Sequence, residues 1–415
     1  MYDWDRMNAR YVLDFLRQAH PTDAGETLGC EFRLLCSGQL YSGGDPNKNI
    51  LSRVLLKEPF GLFVAAPIMT DISKPYPQEL ALRLSVEPVS EQNALVQRSF
   101  HPHWEIAFDL AALLTLLCRR LITVAGLVSE TVETSELPEW FRELPAPLAT
   151  AMKLKYWERQ PSLFIDHPDR PEIKHYQPSI KRFDRDRVQT ILTALPTIPH
   201  AQRVVLAARL YWSAMLALYE RPDIAYLMLT ISVESLANQA VSTEDARREA
   251  IKDVPKRIRR DLTQLGLSDA QIRGAWEVLA QPRSAYKFRR FMTEYITEEL
   301  WQDDDLFQID RSFAKLLPCR ENMGDAMATV YKQRNLFVHH GRPYPELIVA
   351  GLGATMPSTA AIQLLSGERF PPLAWFERAV HVAIVNYLEQ VNKRPDDHGQ
   401  LAGASGSADE SPHSK

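Results

Sequence analysis

The chain has few cysteines, and their spacing suits no common structural use. Only four occur in 415 residues, and none of them belongs to a Cys-x-x-Cys pair. Disulfide frameworks and structural zinc sites usually rely on closely spaced cysteines, so we predict neither. The reducing cytoplasm is therefore the location that we expect.

Features of several other functional classes are also missing. The first ten residues, MYDWDRMNAR, lack the apolar core of a secretory signal. The sequence contains neither a Gly-rich phosphate loop ending in Gly-Lys-Ser/Thr nor a Gly-x-Ser-x-Gly esterase elbow. The pair His101 and His103 has no obvious cysteine or carboxylate cluster to complete a metal site. We therefore predict no cofactor and no metal.

Long hydrophobic runs are absent as well. The most apolar stretch, 110–125, is 16 residues long and contains Arg119 and Arg120. It is short for a membrane span, and two arginines within a bilayer would be costly. We predict a buried helix here, starting after Asp109 and stopping at Gly126, and no membrane contact.

Charge of one sign does not dominate. The formal net charge is −4, with 45% hydrophobic and 24% charged residues. This composition is typical of a globular protein and creates no global basic field that would attract nucleic acid. Any contact with nucleic acid must come from local basic patches.

Residues 1–190 have the pattern of a mixed α/β domain. Apolar and polar residues alternate in LALRLSVE, residues 80–87, which predicts a strand. The stretches 29–36 and 60–69 are also short and apolar, as strands are. Prolines are frequent from 138 to 199, and we place a domain boundary within 175–200.

Residues 200–393 are predicted to form an all-α bundle. Apolar residues recur there at the three-four spacing of core-facing helices. The predicted helices cover about 200–220, 223–240, 244–265, 268–281, 284–300, 320–340 and 372–393. The tail, 394–415, lacks bulky apolar residues and is predicted to be disordered. The predicted fold class is thus α+β, with a partly β N-terminal domain and a helical C-terminal domain.

The segment YKQRNLFVHHG, residues 331–341, brings polar residues to the end of a predicted helix. Arg334 continues the apolar stripe of this helix, and a guanidinium is expensive to bury without an anion. Asn335 and His339 are four residues apart and therefore share a neighbouring face. Gly341 occupies the position of a C-cap glycine, which puts His339 and His340 in the last turn.

These residue types suit chemistry on a phosphate. A histidine near neutral pKa beside a fixed cation can move protons, and arginine can hold phosphate oxygens and offset developing charge. Simpler roles are open too: histidines often cap helices, and an arginine on an apolar stripe often pairs with a carboxylate. The bare spacing also occurs at Arg98–His103 and Arg170–His175, where a proline interrupts each segment.

The segment 331–341 resembles the Arg-polar-x-x-x-His motif of the HEPN superfamily, in which the residue after arginine is typically Asn, Asp or His. The segment TISVESLANQ, 230–239, resembles the long second helix of Apea-like HEPN domains, with its acidic residue at Glu234. The final helix, FERAVHVAIVNYLEQV, 376–391, extends the resemblance. In all it covers about 200–393.

The resemblance implies a homodimer formed through the helical domain, with two motifs facing a shared cleft. It also implies a metal-independent endoribonuclease of an antiviral or toxin-like system, in which the ribose 2′-hydroxyl attacks the adjacent phosphate. By carry-over, His339 is the general base or acid, Arg334 stabilises the phosphate and Asn335 orients its neighbours. His340 is open as the alternative histidine. Glu234 is the candidate for steadying the arginine, with a structural ion pair as the alternative.

Two basic stretches could meet RNA. The segment 247–260 holds seven basic and two acidic residues and is expected to be a solvated helix face. The segment RSAYKFRRF, 283–291, interleaves basic with aromatic side chains, which suits phosphate contacts and base stacking. Its predicted RNA-binding residues are Arg283, Tyr286, Lys287, Arg289 and Arg290.

Two functions remain open at this level. The first is a cytoplasmic, homodimeric endoribonuclease whose N-terminal domain senses or regulates. The second is a helical dimerisation module without catalysis that binds nucleic acid or a partner. Some members of the superfamily have lost catalysis, so the fold alone does not decide between them.

Overall fold

Helices make up most of the part of the chain that the computed structural model describes. The described residues are 4–18, 28–36, 39–41, 44–45, 50–51, 54–56, 62–64, 78–86, 102–130, 180–218, 221–242, 256–279, 284–301, 318–345 and 370–393. The predicted disordered tail 394–415 and the predicted RNA contact at Arg283 lie outside them.

A five-stranded antiparallel sheet lies within the first 130 residues. Its strands neighbour one another in the order 54–56, 62–64, 78–86, 28–36 and 122–130. Its strands are β1 (Leu28–Cys36), β5 (Val54–Leu56), β6 (Leu62–Val64), β7 (Gln78–Val86) and β8 (Ile122–Glu130). Four short strands form two further pairs: β2 (Gln39–Tyr41), β3 (Gly44–Asp45), β4 (Ile50–Leu51) and β9 (Ile180–Arg182).

The alternation of apolar residues explains the register of the central strands. In β7, Leu80, Leu82 and Leu84 are buried, and they lie opposite β1 in a continuous ladder from Leu28↔Val86 to Cys36↔Gln78. Since side chains alternate between the two faces of a strand, one face of β7 packs into the core. The strand predicted for 80–87 is confirmed, and the apolar stretch 29–36 is also a strand.

The helix predicted for 110–125 is wrong in its position. The structure has α2 from Pro102 to Cys118, followed by β8. Asp109 is therefore no N-cap but a buried residue within α2. The residues Ile122, Thr123 and Val124 are β-branched and pair with β1 at the edge of the sheet. They therefore form a strand, although they directly continue the apolar stretch that contains the helix.

Residues 244–255 of one predicted helix lie outside the described residues, and the helix predicted for 284–300 is divided at 296–297. The helices of the second half otherwise agree with the predicted pattern. They are α3 (Arg185–Ala194), α4 (Ala201–Ala217), α5 (Pro222–Ala240), α6 (Lys256–Gln264), α7 (Asp269–Leu279), α8 (Ser284–Tyr295), α9 (Glu298–Trp301), α10 (Met323–His340) and α11 (Leu373–Lys393). The first half contains one further helix besides α2, namely α1 (Trp4–Gln18), among the described residues. Pro222 is the first residue of α5, a position where the missing N–H of proline is tolerated.

The helices that carry the motif pack around α5. Helix α5 lies against α4, α8, α10 and α11, and α8 also contacts α10 and α11. Buried aromatic rings join these helices, and the rings of Tyr226 in α5 and Phe376 in α11 stack at 4.4 Å. This packing fixes α10 between α5 and α8, which positions the residues discussed below.

The sheet side and the helical side share one hydrophobic core. Helix α2 packs on both the sheet and α4, and a single cluster of buried apolar residues includes both parts. Asp109 of α2 accepts two hydrogen bonds from Arg209 of α4, at 2.6 and 2.8 Å. The domain boundary predicted within 175–200 stays a prediction.

None of the helices in the described ranges combines the length and the apolar character needed to cross a membrane.

Candidate functional site at the end of α10

The segment 331–341 begins in the second half of α10, and the first half of this helix is anchored in the core. Its residues Met323, Met327 and Val330 are buried, as the apolar stripe predicts. The helix ends at Gly341, whose φ of 63° lies in the left-handed region that favours glycine. The N–H of Gly341 donates to the carbonyl of Phe337 at 3.1 Å, which satisfies one of the last free carbonyls.

Arg334 is held by a carboxylate on the neighbouring helix. Its Nη2 lies 2.9 Å from Oε2 of Glu234 in α5, and its Nη1 donates to Oδ1 of Asn335 at 3.0 Å. The two ionic side chains are only 18% and 14% exposed. The structure thus brings together Arg334, Asn335 and Glu234, three of the five residues predicted for the catalytic group and its support.

Tyr331 completes this network. Its hydroxyl donates to Oε1 of Glu234 at 2.9 Å, while the Cζ of Arg334 lies 5.5 Å from the centre of its ring. Burial and the nearby charge of Glu234 raise the pKa of Tyr331 to about 12, although a hydrogen bond with Ser284 acts in the opposite direction. The hydroxyl therefore stays protonated at neutral pH and acts as a donor to the carboxylate.

The guanidinium of Arg334 has more N–H donors than its bonds to Glu234 and Asn335 use. Arginine has five N–H groups, and the two bonds named above use two of them. A third, on Nε, is buried and has no hydrogen-bond acceptor among the described residues. The remaining N–H groups are on the two terminal nitrogens, where a partly exposed guanidinium can contact an anion.

The two histidines lie apart from this network. His339 and His340 are both exposed, whereas Arg334 and Asn335 are half-buried. At about 100° per residue, five positions separate Arg334 and His339 by about 140° around the helix, but four positions bring Asn335 and His339 within about 40°. One copy of α10 therefore presents the arginine and His339 on different faces.

The chain after the helix folds back beside the motif. The side-chain nitrogen of Gln333 donates to the carbonyl of Pro343 at 2.8 Å. The ring of Tyr344 then packs 5.1 Å from those of Phe337 and Tyr226. Burial raises the pKa of Tyr344, while the charge of Arg334 lowers it. This tyrosine is buried near the arginine and stays neutral.

Helix α8 carries the predicted RNA-binding residues, but not all of them face solvent. Tyr286 and Arg289 are half-buried, and Arg290 is exposed. Lys287 is only 5% exposed, and its Nζ donates to the carbonyl of Asn238 at 3.2 Å. Burial lowers the pKa of Lys287. Lys287 therefore secures α8 to the end of α5, because it lies on the inner side of the amphipathic helix, and its contact with RNA stays a prediction.

Comparisons with protein-family models, with curated proteins and with solved structures found no match to this chain. The resemblance of the motif to the HEPN superfamily therefore stays a prediction that rests on residues 331–341 and their surroundings.

Two residues of the site were not predicted as functional from the sequence. Tyr331 precedes Arg334 by three positions and so shares its face, a signal that helical spacing alone could have supplied. Tyr344 follows the helix in an irregular segment, and no spacing rule places it. Its contact with Tyr226 depends on how the chain turns after Gly341.

Proposed function

We propose that this chain is a metal-independent endoribonuclease of HEPN type that acts in the cytoplasm, in defence or a toxin-like stress response. The observation that carries the proposal is the Arg334 network: a partly exposed guanidinium, fixed by Glu234 and Asn335, one turn before two exposed histidines. A fixed cation with spare N–H donors can hold a phosphate, and an imidazole can transfer the protons of the reaction.

The reaction that these residues support is an internal transfer at phosphorus. A histidine, His339 or His340, takes the proton of the ribose 2′-hydroxyl, whose oxygen then attacks the adjacent phosphorus. The bond from phosphorus to the 5′-oxygen breaks, and a histidine returns a proton to that leaving oxygen. The products are a 2′,3′-cyclic phosphate and a 5′-hydroxyl. Arg334 offsets the charge that builds on the phosphate oxygens.

Two copies of the motif would complete such a site. Because Arg334 and His339 differ by about 140° around one helix, a histidine from a second chain can approach the arginine more directly than the one that follows it. We therefore include a homodimer through the helical half in the proposal. A closed two-fold arrangement presents the same surface of each copy to the other.

The proposal also covers the arrangement of the whole chain. It assigns an α+β fold, with the sheet-containing part as a sensing or regulatory unit and residues 200–393 as the catalytic unit. Its support is the packing of α2 on α4, a helix that in turn packs on α5, where Glu234 lies.

Sequencing RNA ends after expression tests the proposal. Cells that express the wild type should accumulate fragments with 2′,3′-cyclic phosphate and 5′-hydroxyl ends. His339→Ala and His340→Ala are each the matched control of the other, since both side chains are exposed in the same turn. The catalytic histidine is the one whose loss removes these ends. Wild-type end patterns from both variants and from Arg334→Ala would refute the enzyme.

A second function has an observation of its own. Glu234 neutralises the charge of Arg334, and an arginine locked to a carboxylate suits a structural ion pair in a non-catalytic dimerisation and binding module. In that case Arg334→Ala and Glu234→Ala should weaken dimers or stability to a similar degree, as measured by sedimentation and urea unfolding, while no RNA is cut by the wild type.

A further inference from the structure

A shallow depression, open to solvent and called the groove below, lies on one face of α8. It has a volume of about 430 Å³ and is lined by Tyr286, Arg289, Arg290, Thr293 and Glu294. These positions are three or four residues apart, so they follow a single face of the helix. The opposite face of α8 is buried through residues such as Phe288 and Phe291. The groove is therefore backed by a rigid, packed helix.

A tyrosine and two arginines form the floor of this groove. The guanidinium carbon of Arg289 lies 5.8 Å from the centre of the Tyr286 ring. Arg290 donates to the hydroxyl of Tyr286 at 3.2 Å and to Glu294 at 3.3 Å. Glu294 thus offsets the charge of Arg290. Arg289 has no carboxylate partner in the ranges that the structure describes, so its charge remains available to an anion.

This floor offers two kinds of contact to a nucleotide. The planar ring of Tyr286 and the guanidinium plane of Arg289 both stack with bases, whatever the base. The N–H groups of Arg289 can also hold a phosphate oxygen. A base can stack on such a platform only when it is unpaired, because the bases of an RNA duplex are stacked on one another and its deep groove is closed to side chains.

The groove lies at the opposite end of α10 from the histidines. A Cβ on Gly324, the second residue of α10, would lie 3.8 Å from Cδ of Arg289. Fifteen residues separate Gly324 from His339, which is about 22 Å along a helix at about 1.5 Å per residue. At the stacked spacing of about 3.4 Å per nucleotide, this distance corresponds to about six nucleotides, and to fewer in an extended strand.

We propose that the groove on α8 is a distal subsite for single-stranded RNA, which holds one unpaired base and its phosphate several nucleotides away from the bond cut at the Arg334 motif. This inference rests on the proposed ribonuclease function and adds a substrate class to it. The substrate is unpaired over a stretch long enough to reach from Tyr286 and Arg289 to the histidines.

Binding measurements test the subsite without relying on cleavage. The probes are a labelled single strand of about 12 nucleotides, one of about 4, and a duplex of the longer sequence, all with 2′-O-methyl sugars, which prevent attack and keep the duplex in the A-form of RNA. The wild type should prefer the long single strand. Tyr286→Ala and Arg289→Ala should each weaken that binding by about tenfold, the order expected for one stacked base, and should reduce the preference for the long strand over the short one.

Two further variants serve as controls. Tyr286→Phe keeps the ring and should bind the long strand within about twofold of the wild type. Arg260→Ala removes an exposed arginine of α6 that does not line the groove, and should also have little effect. Equal losses from Arg260→Ala and Arg289→Ala would mean general attraction between charges and would overturn the subsite. Binding of the duplex as tight as that of the single strand would overturn it as well.

The two proposals can fail separately. If the wild type cuts no RNA but the long strand binds as described, the ribonuclease is refuted and the groove stands as a binding site. If the wild type cuts RNA but Arg289→Ala cuts strands of about 4 and about 12 nucleotides as the wild type does, the subsite is refuted and the ribonuclease stands.

Discussion

Replacing Glu234 by glutamine changes the charge that faces Arg334 while nearly preserving the shape of the side chain. In the Glu234→Gln variant, Tyr331 can still donate to the side-chain amide oxygen, but Arg334 loses its anion. The guanidinium would then be held only by Asn335, on its own helix. The change therefore isolates the ion pair from the packing around it.

The expected loss follows from the burial of the pair. Exposed ion pairs contribute about 0–1 kcal/mol, whereas breaking a fully buried pair costs about 3–5 kcal/mol. Arg334 and Glu234 are 18% and 14% exposed, so they fall between these limits. We expect Glu234→Gln to lower the free energy of unfolding by about 2 kcal/mol, which is also the range for a hydrogen bond to a charged group.

Urea unfolding of a double-mutant cycle measures this quantity. The cycle combines Glu234→Gln, Arg334→Met and both together, and we expect a coupling energy of about 1–2 kcal/mol. Asp14→Asn is the control, because Asp14 pairs with Arg17 on the surface of α1 and should cost less than about 0.5 kcal/mol. A coupling energy near zero would contradict the view that Glu234 fixes the arginine.

Two other substitutions test the structure around the site. Gly341→Ala places a Cβ at a φ of 63° with no atom within 4 Å, so backbone strain alone should cost about 1 kcal/mol and loosen the turn that carries the histidines. Gly274→Ala, a helical glycine with equally open space but without a positive φ, should instead be neutral or stabilising in urea unfolding. Glu377 is a fully buried carboxylate that Arg119 and Tyr211 both contact. Glu377→Gln removes its charge and should lower the free energy of unfolding by about 3 kcal/mol. Equal unfolding midpoints for Gly341→Ala and Gly274→Ala would contradict the backbone strain expected at Gly341. A wild-type midpoint for Glu377→Gln would contradict the buried ion pair.

Local patterns in the sequence predict much of the helical half. The three-four spacing and the breaks at Pro222 and Gly341 place α5 and the end of α10 within a residue or two of the structure. These signals are local, since they depend on which side chains share a helix face and on which residues can end a helix. The position of Arg334 on an apolar stripe predicted that this arginine needs an anion, whereas the choice of Glu234 came from the resemblance of residues 230–239 to a HEPN helix.

The errors come from contacts that are distant in sequence. The apolar stretch 110–125 has the local pattern of one helix. Its last residues belong to β8 because they pair with β1, which is more than 85 residues away along the chain. Asp109 was predicted to be a helix cap, because the sequence does not show that Arg209 of α4 pairs with it. The burial of Lys287 depends in the same way on the end of α5, where the backbone carbonyl of Asn238 accepts a hydrogen bond from its ammonium group.

Cleavage of a single-stranded RNA by the purified chain tests the central claim most directly. We expect the wild type to cut the RNA and to leave 2′,3′-cyclic phosphate ends. Loss of the catalytic histidine, His339 or His340, should lower the rate by about 10²–10⁴, as is usual for a general acid or base. Arg334→Ala should lower it as strongly. A preparation that cuts no RNA, or one whose rate is unchanged in all three variants, would contradict the account.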